Sequence, residues 1–138
     1  MATLLPVIPE LALLGAFDRG VPNKERIVLK PQSVLDIGNY AIILGTRLLH
    51  TGTVVPVRDA MFWFGSGTVS PDDWLFLFTG SGTPNFVPGP DNKGRLHLVY
   101  WGREHTLFHD PITEPVLWRL SGVEIPKPAG AVPQIAKG

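Results

Sequence analysis

Proline and glycine recur so often along this chain that no window of eleven or more residues carries a 3.6-residue apolar period without an internal breaker. Fifteen glycines and fourteen prolines fall among 138 residues, mostly as single punctuators. Proline removes a backbone donor and glycine costs helical free energy, so long helices are excluded. Only residues 10–17 have room for a short helix, of about two turns. Such spacing predicts a domain of short strands and many turns.

The strands show in side-chain alternation. In "ERIVLKP" (Glu25 to Pro31), Ile27 and Leu29 oppose Arg26, Val28 and Lys30, which predicts a half-buried strand ended by proline. In "SVLDIGNYAIILG", Val34, Asp36 and Gly38 oppose Leu35 and Ile37. Gly38-Asn39 marks a turn or bulge, and Tyr40 to Leu44 reads as the next strand. "TRLLHTGTVVPVRD" supplies one or two short strands, with Pro56 placing the second at a sheet edge. "AMFWFG" and "DWLFLFTG" are continuous apolar runs, as in strands covered on both faces or at an edge covered by a tail.

"TPNFVPGPDNKG" (Thr83 to Gly94) reads as a long loop, and "RLHLVYWG" alternates again. "HTLFHDP" and "PVLWRLSGVEI" supply the last strands, the final pair turning at Ser121-Gly122. The expectation is all-β: a sandwich of about seven to nine short antiparallel strands. Residues 1–22 are read as an apolar leader, 23–126 as the sandwich and 127–138 as a proline-rich tail.

Hydrophobic residues make up 44% of the chain, enough for a core that needs no covalent staple. There is no cysteine, so disulfides and thiolate chemistry are excluded. Twelve basic and twelve acidic side chains cancel, which gives no support to sequence-independent nucleic-acid binding. The start, "MATLLPVIPELALLGAF", has no Lys or Arg, is interrupted by Pro6 and Pro9, and contains Glu10. Neither a signal peptide nor a membrane span is expected from that pattern. The compartment stays open, with the cytoplasm favoured.

The ordered features resemble the lamin tail domain over about residues 24–126. "ERIVLKP" is similar to that family's first strand, and "SVLDIGNYAIILG" to its turn followed by an aromatic and a strand. "DDWLFLFTGSGT" resembles its strand running into a Gly/Ser-rich turn. "LVYWGREHTLFHD" is similar to its strands around an aromatic-Trp-Gly step, and "PVLWRLSGVEI" to its closing hairpin. Tyr40 stands where Trp is usual, and "HTLFHDPITEP" is longer and richer in proline than the family's loop. The resemblance implies an immunoglobulin-like, non-catalytic sandwich used for protein or nucleic-acid contacts, without catalytic residues or a cofactor.

Several constellations bear on chemistry. Gly-Ser-Gly-Thr occurs at Gly65 to Thr68 and at Gly80 to Thr83, but neither copy leads into a helix. A phosphate loop needs converging N–H groups at a helix start, so both copies read as strand exits. His105 and His109 form a His-x₃-His pair beside Glu104 and Asp110, the weak alternative of a metal-dependent enzyme. On a strand their separation is roughly 13 Å, too far for one ion. Asp72 and Asp73 point apart on an extended chain and read as a turn. No Ser/His/Asp set emerges, His50 and His97 included, and no enzyme is expected.

The aromatics remain. Phe62, Trp63, Trp74 and Trp101 are the candidate binding surface. The leading expectation is a protein-interaction or self-association module. The alternative is a carbohydrate or nucleic-acid module that uses exposed aromatic faces.

Overall fold

A computed structural model describes residues 7–48, 51–122, 124–126 and 133, with the side chains of 56–59 left aside. The fold is an all-β sandwich. Its ten strands among the described residues are β1 (Leu11–Phe17), β2 (Arg26–Pro31), β3 (Leu35–Asp36), β4 (Tyr40–Arg47), β5 (Val54–Trp63), β6 (Thr68–Val69), β7 (Trp74–Phe78), β8 (Asn85–Pro88), β9 (Arg95–Tyr100) and β10 (Thr113–Arg119). One sheet runs β1-β2-β7-β9-β8, a second β10-β4-β5, and β3 pairs with β6 alone. Among the described residues no helix is long and apolar enough to cross a membrane.

The core lies between the two larger sheets. Leu11, Ile27, Leu29, Leu75 and Leu77 enter it from the five-stranded sheet, and Tyr40, Ile42, Leu44 and Ala60 from the three-stranded one. Each large apolar side chain so buried contributes about 1.5–3 kcal/mol. Phe108, fully buried, joins this core from the loop after β9.

Within residues 10–17, read as leader with room for a short helix, Leu11–Phe17 form β1 instead, so the sandwich reaches back before residue 23. The cause is a register shift between Leu13 and Gly15. Leu11 and Leu13 pair on one side of it and Ala16 on the other, so the alternation changes phase mid-strand. Gly15 has φ 120, open to glycine and strained for other residues.

Other departures concern pairing. Strands β7 and β9 are parallel, not antiparallel. The chain leaves β7, skips one place to the edge strand β8, a four-residue strand inside the stretch read as loop, and returns as β9 between the two. Edge placement suits β8, which is flanked by Pro84 and ends at Pro88. "HTLFHDP" makes no strand, because its backbone donors go to a buried carboxylate described below. The expected closing hairpin is also absent among the described residues: β10 pairs with β4, and no strand follows it there. The tail 127–138 lies outside the described residues except Pro133. β5 sits at the sheet edge, as Pro56 requires.

Candidate functional site

Alternation sets what each sheet shows to solvent. In β7, Leu75 and Leu77 point inward, so Trp74, Phe76 and Phe78 point outward. Register extends this outward face across the sheet. One row is Phe17, Arg26, Phe78 and Tyr100; the next is Gly15, Val28, Phe76, Leu98 and Asn85. A third joins Trp74, Leu96 and Val87. In a sandwich exposed to water on both sides these positions alternate to polar residues. Here they are mostly aromatic or aliphatic.

The outward rings of Trp74, Phe76, Phe78 and Tyr100 are half-buried, because neighbouring side chains cover them. Phe78 and Tyr100 stack on one another, centroids 5.3 Å apart and planes at 17°. The Arg26 guanidinium lies 5.1 Å from the Phe76 centroid, and Lys30 Nζ 4.9 Å from that of Trp74. Arg26 also pairs with Asp18 at 2.6 Å. Lys30 donates to the carbonyls of Pro71 and Asp73. Val28 is buried although it faces outward, which places it beneath these neighbours.

The three-stranded sheet repeats the pattern. Tyr40, Ile42 and Leu44 enter the core, so Ala41, Ile43 and Gly45 face out. Register sets Trp118, Ala41 and Trp63 in one row and Val116, Ile43 and Met61 in the next. Trp118 and Met61 are 45% and 49% exposed, whereas Ala41 between the indoles is fully buried. A groove of about 680 Å³ crosses this face, lined by Val7, Ile8, Ile43, Val54, Val116 and Trp118.

The four aromatics singled out from sequence therefore do not form one surface. Trp63 belongs to the three-stranded outer face, where its indole N–H donates to the Gly38 carbonyl at 2.7 Å. Trp74 belongs to the five-stranded outer face. Phe62 and Trp101 pack against the core, their centroids 5.7 Å apart. Trp118, Met61, Phe76 and Tyr100 complete the two faces, and pairing register was the missing signal. Strand alternation exposes these positions; the partner strands that make each row continuous are not adjacent in sequence.

Polar groups serve mainly as fasteners. Glu25, 1% exposed, accepts from Gly20 N, Leu107 N, Phe108 N and Thr79 Oγ1 at 2.6–3.0 Å. It fixes the loop that sequence alone reads as a strand. Asp36 accepts from the N–H groups of Gly67 and Gly38, which hold its pKa low. Thus the first Gly-Ser-Gly-Thr donates to a carboxylate of its own chain. At the second, Gly82 lies against the Tyr100 ring. Both follow strands, and neither opens a helix.

Tyr40 Oη donates to Glu10 at 2.6 Å, and Arg119 Nη1 to the same carboxylate at 2.9 Å. The Tyr40 hydroxyl, the Glu10 backbone and Arg119 hold the Glu10 pKa down to about 2. Burial and the adjacent carboxylate push Tyr40 up to about 12.

Asp72 is exposed, whereas its neighbour Asp73 is buried. Burial alone raises its pKa, but N–H donors from Ser70 and Arg95, with His97 3.4 Å away, hold it low on balance. With Ser70 and Arg95 this pair borders a hollow of about 390 Å³. His105 and His109 are both exposed, and His109 lies 4.0 Å from Asp110. His50 is outside the described residues. Among the described residues no group of three or more His, Cys, Asp or Glu side chains is placed to hold a metal ion. No family model, curated protein or solved structure matches this chain.

Proposed function

We propose that this domain is a non-catalytic interaction module that binds protein through its apolar sheet faces. The observation that carries the reading is the outer face of the five-stranded sheet, where Phe17, Phe76, Phe78, Trp74 and Tyr100 stand in adjacent rows. Contiguous apolar surface of this kind is what protein contacts bury. The lamin-tail resemblance of residues 24–126 implies the same class of role on an immunoglobulin-like sandwich.

Ring orientation favours protein over glycan or single-stranded nucleic acid. A stacking platform offers ring faces to a sugar or base. Here Phe78 and Tyr100 turn faces to each other, while Arg26, Lys30 and Arg95 lie over Phe76, Trp74 and Phe86. Ring edges and aliphatic carbons are left, and these suit packing against another apolar face.

A photo-reactive side chain in place of Phe76 tests the reading, with Gln32, exposed at the end of β2, as control position. Protein adducts are expected at position 76 and not at position 32, with a blank glycan array and no single-stranded DNA binding. Equal labelling at both positions, or a glycan or DNA ligand lost in Phe76→Glu, overturns the proposal.

A further inference from the structure

We infer that the outer strands of both larger sheets are built to refuse an added strand, so that neither an extended peptide nor a second copy pairs with them through the backbone. The inference goes beyond the protein-contact reading and does not depend on it: it concerns the sheet edges, not the faces.

In an antiparallel ladder, opposite residues alternate between exchanging two backbone bonds and exchanging none. On an edge strand, residues of the second kind turn their N–H and C=O groups to the open side. A joining strand needs those groups at every second position. The bonds at the ends of each ladder fix which residues they are.

On β8 they are Phe86 and Pro88. Gly89 N donates to the Gly94 carbonyl at 3.1 Å, which makes Val87↔Leu96 and Asn85↔Leu98 the bonded pairs in the register of β8 with β9. The other side of β9 agrees. Arg95 N donates to Asp73 at 2.9 Å and Trp101 N to the Phe78 carbonyl at 2.8 Å, so the odd-numbered residues turn toward β7 and leave Leu96 and Leu98 for β8. Phe86 and Pro88 therefore face the open edge, with Pro84 two residues earlier on the same side. Proline has no N–H. A single donor, that of Phe86, stands where a joining strand needs three.

The remaining edges are interrupted in the same sense. On β10, Arg47 N donates to the Ile112 carbonyl and Leu120 N to that of Asn39, both at 2.7 Å, at the two ends of the ladder with β4. Counting in twos between them turns Thr113, Pro115, Leu117 and Arg119 outward. The Thr113 N–H is taken by Asp110 at 2.8 Å, its carbonyl by Arg19 at 2.9 Å, and Pro115 has no donor. On β5, Leu48 N donates to the Thr53 carbonyl at 2.7 Å, which turns Val54 and Pro56 outward; the register with β4 then breaks between Ile43 and Gly45. On β1, Gln32 N donates to the Glu10 carbonyl at 2.8 Å, which turns Leu11 and Leu13 outward, and the shift at Leu13/Gly15 ends that run. Each edge strand thus carries an outward proline or a break in register. Leu14, Val55, Phe86 and Val87 stand exposed on these strands, so side chains would favour a pairing that the backbone withholds.

Pro84→Val combined with Pro88→Val, in the full chain, tests this by restoring two donors beside that of Phe86. Two copies joined through β8 would gain about four N–H···O bonds, each worth roughly fivefold in an equilibrium constant, so pairing is expected to tighten roughly 10²–10³-fold. Sedimentation reads the pairing and hydrogen exchange locates it: the Phe86 amide becomes protected as the double variant associates. In the native chain, and in Pro90→Val, whose proline lies in the turn after β8, that amide exchanges freely at every concentration. If the double variant melts differently from the native chain, Pro88→Val alone takes its place, with two bonds gained and pairing tightened roughly 30-fold.

A variant that associates no more than the native chain overturns the inference. So does a native Phe86 amide that gains protection as concentration rises, a result that needs no substitution. A native chain that associates while its Phe86 amide stays open supports it, since the contact is then made without this edge.

Discussion

Replacing Glu25 by Gln tests whether one buried carboxylate holds the loop between β9 and β10. Oε1 accepts from Leu107 N at 2.6 Å and Thr79 Oγ1 at 2.8 Å; Oε2 accepts from Gly20 N at 2.7 Å and Phe108 N at 3.0 Å. A glutamine keeps one oxygen and places an amide N–H₂ against the other two donors. The cheaper orientation turns the amide toward Thr79, whose hydroxyl rotates to accept, and leaves the Leu107 N–H without an acceptor. That orphan costs about 1–3 kcal/mol. The bonds to Gly20 and Phe108 survive but lose their charge-assisted strength, roughly 1 kcal/mol each.

The sum, about 3–5 kcal/mol, is a large fraction of the roughly 5–15 kcal/mol that holds a domain of this kind folded. It corresponds to a fall in melting temperature of roughly 10–20 °C. Urea unfolding measures the cost, with Glu104→Gln, on an exposed residue of the same loop, as control. Hydrogen exchange supplies the location: the amides of Leu107 and Phe108 lose protection before those of β2. If Glu25→Gln unfolds within about 1 kcal/mol of the control, the four bonds are not the loop's anchor and the argument fails.

Two further predictions use the same contacts. The Glu10 carboxylate is held at about 2 when folded, against an ordinary value of 4.5. Its contribution to stability is therefore complete above about pH 4.5 and lost as pH falls through about 2. Acid titration of unfolding should show this loss in the native chain and not in Glu10→Gln; identical profiles would refute the assignment. In Gly82→Ala the new Cβ would overlap the Tyr100 ring, so an overpacking cost of about 1–3 kcal/mol is expected. Near-UV circular dichroism should change with it, because Tyr100 stacks on Phe78; an unchanged spectrum and melting point would count against the close packing.

Strands whose alternation runs unbroken were legible in the sequence. Ile27 and Leu29 against Arg26 and Lys30 placed β2, and the run from Tyr40 placed β4. β1 was not legible, because the irregularity at Leu13/Gly15 splits its pattern into two phases too short to recognise. The buried role of Glu25 was not legible either. A glutamate at a strand start reads as solvent-facing, and three of its four partners lie 54, 82 and 83 residues away. The same distance problem hid the site. Trp63 and Trp118 each stand out as aromatics, but only the pairing of both strands with β4 sets them on either side of Ala41.

The continuous apolar runs predict strands covered on both faces, and the structure gives that expectation a more exact form. "WLFLF" is covered on its inner face by the core, whereas its outer face is shielded by Arg26, Lys30 and the neighbouring rings. Val28 and Ala41 are buried on outward-facing positions, yet Phe17, Met61 and Trp118 beside them stay 41–49% exposed. A face meant only for water would carry polar residues at these alternate positions, and a face sealed by its own chain would leave no such exposure. The intermediate state has a physical reading. Cations laid over aromatic rings lower the cost of holding the faces in water, and each is tethered there, Arg26 by Asp18 and Lys30 by the carbonyls of Pro71 and Asp73. Removing a cation and removing a ring should then act in opposite senses. Lys30→Ala uncovers Trp74 and promotes association at the cost of solubility, whereas Phe76→Glu abolishes association. Equal effects from the two substitutions would mean that the cations are part of the contact rather than its cover.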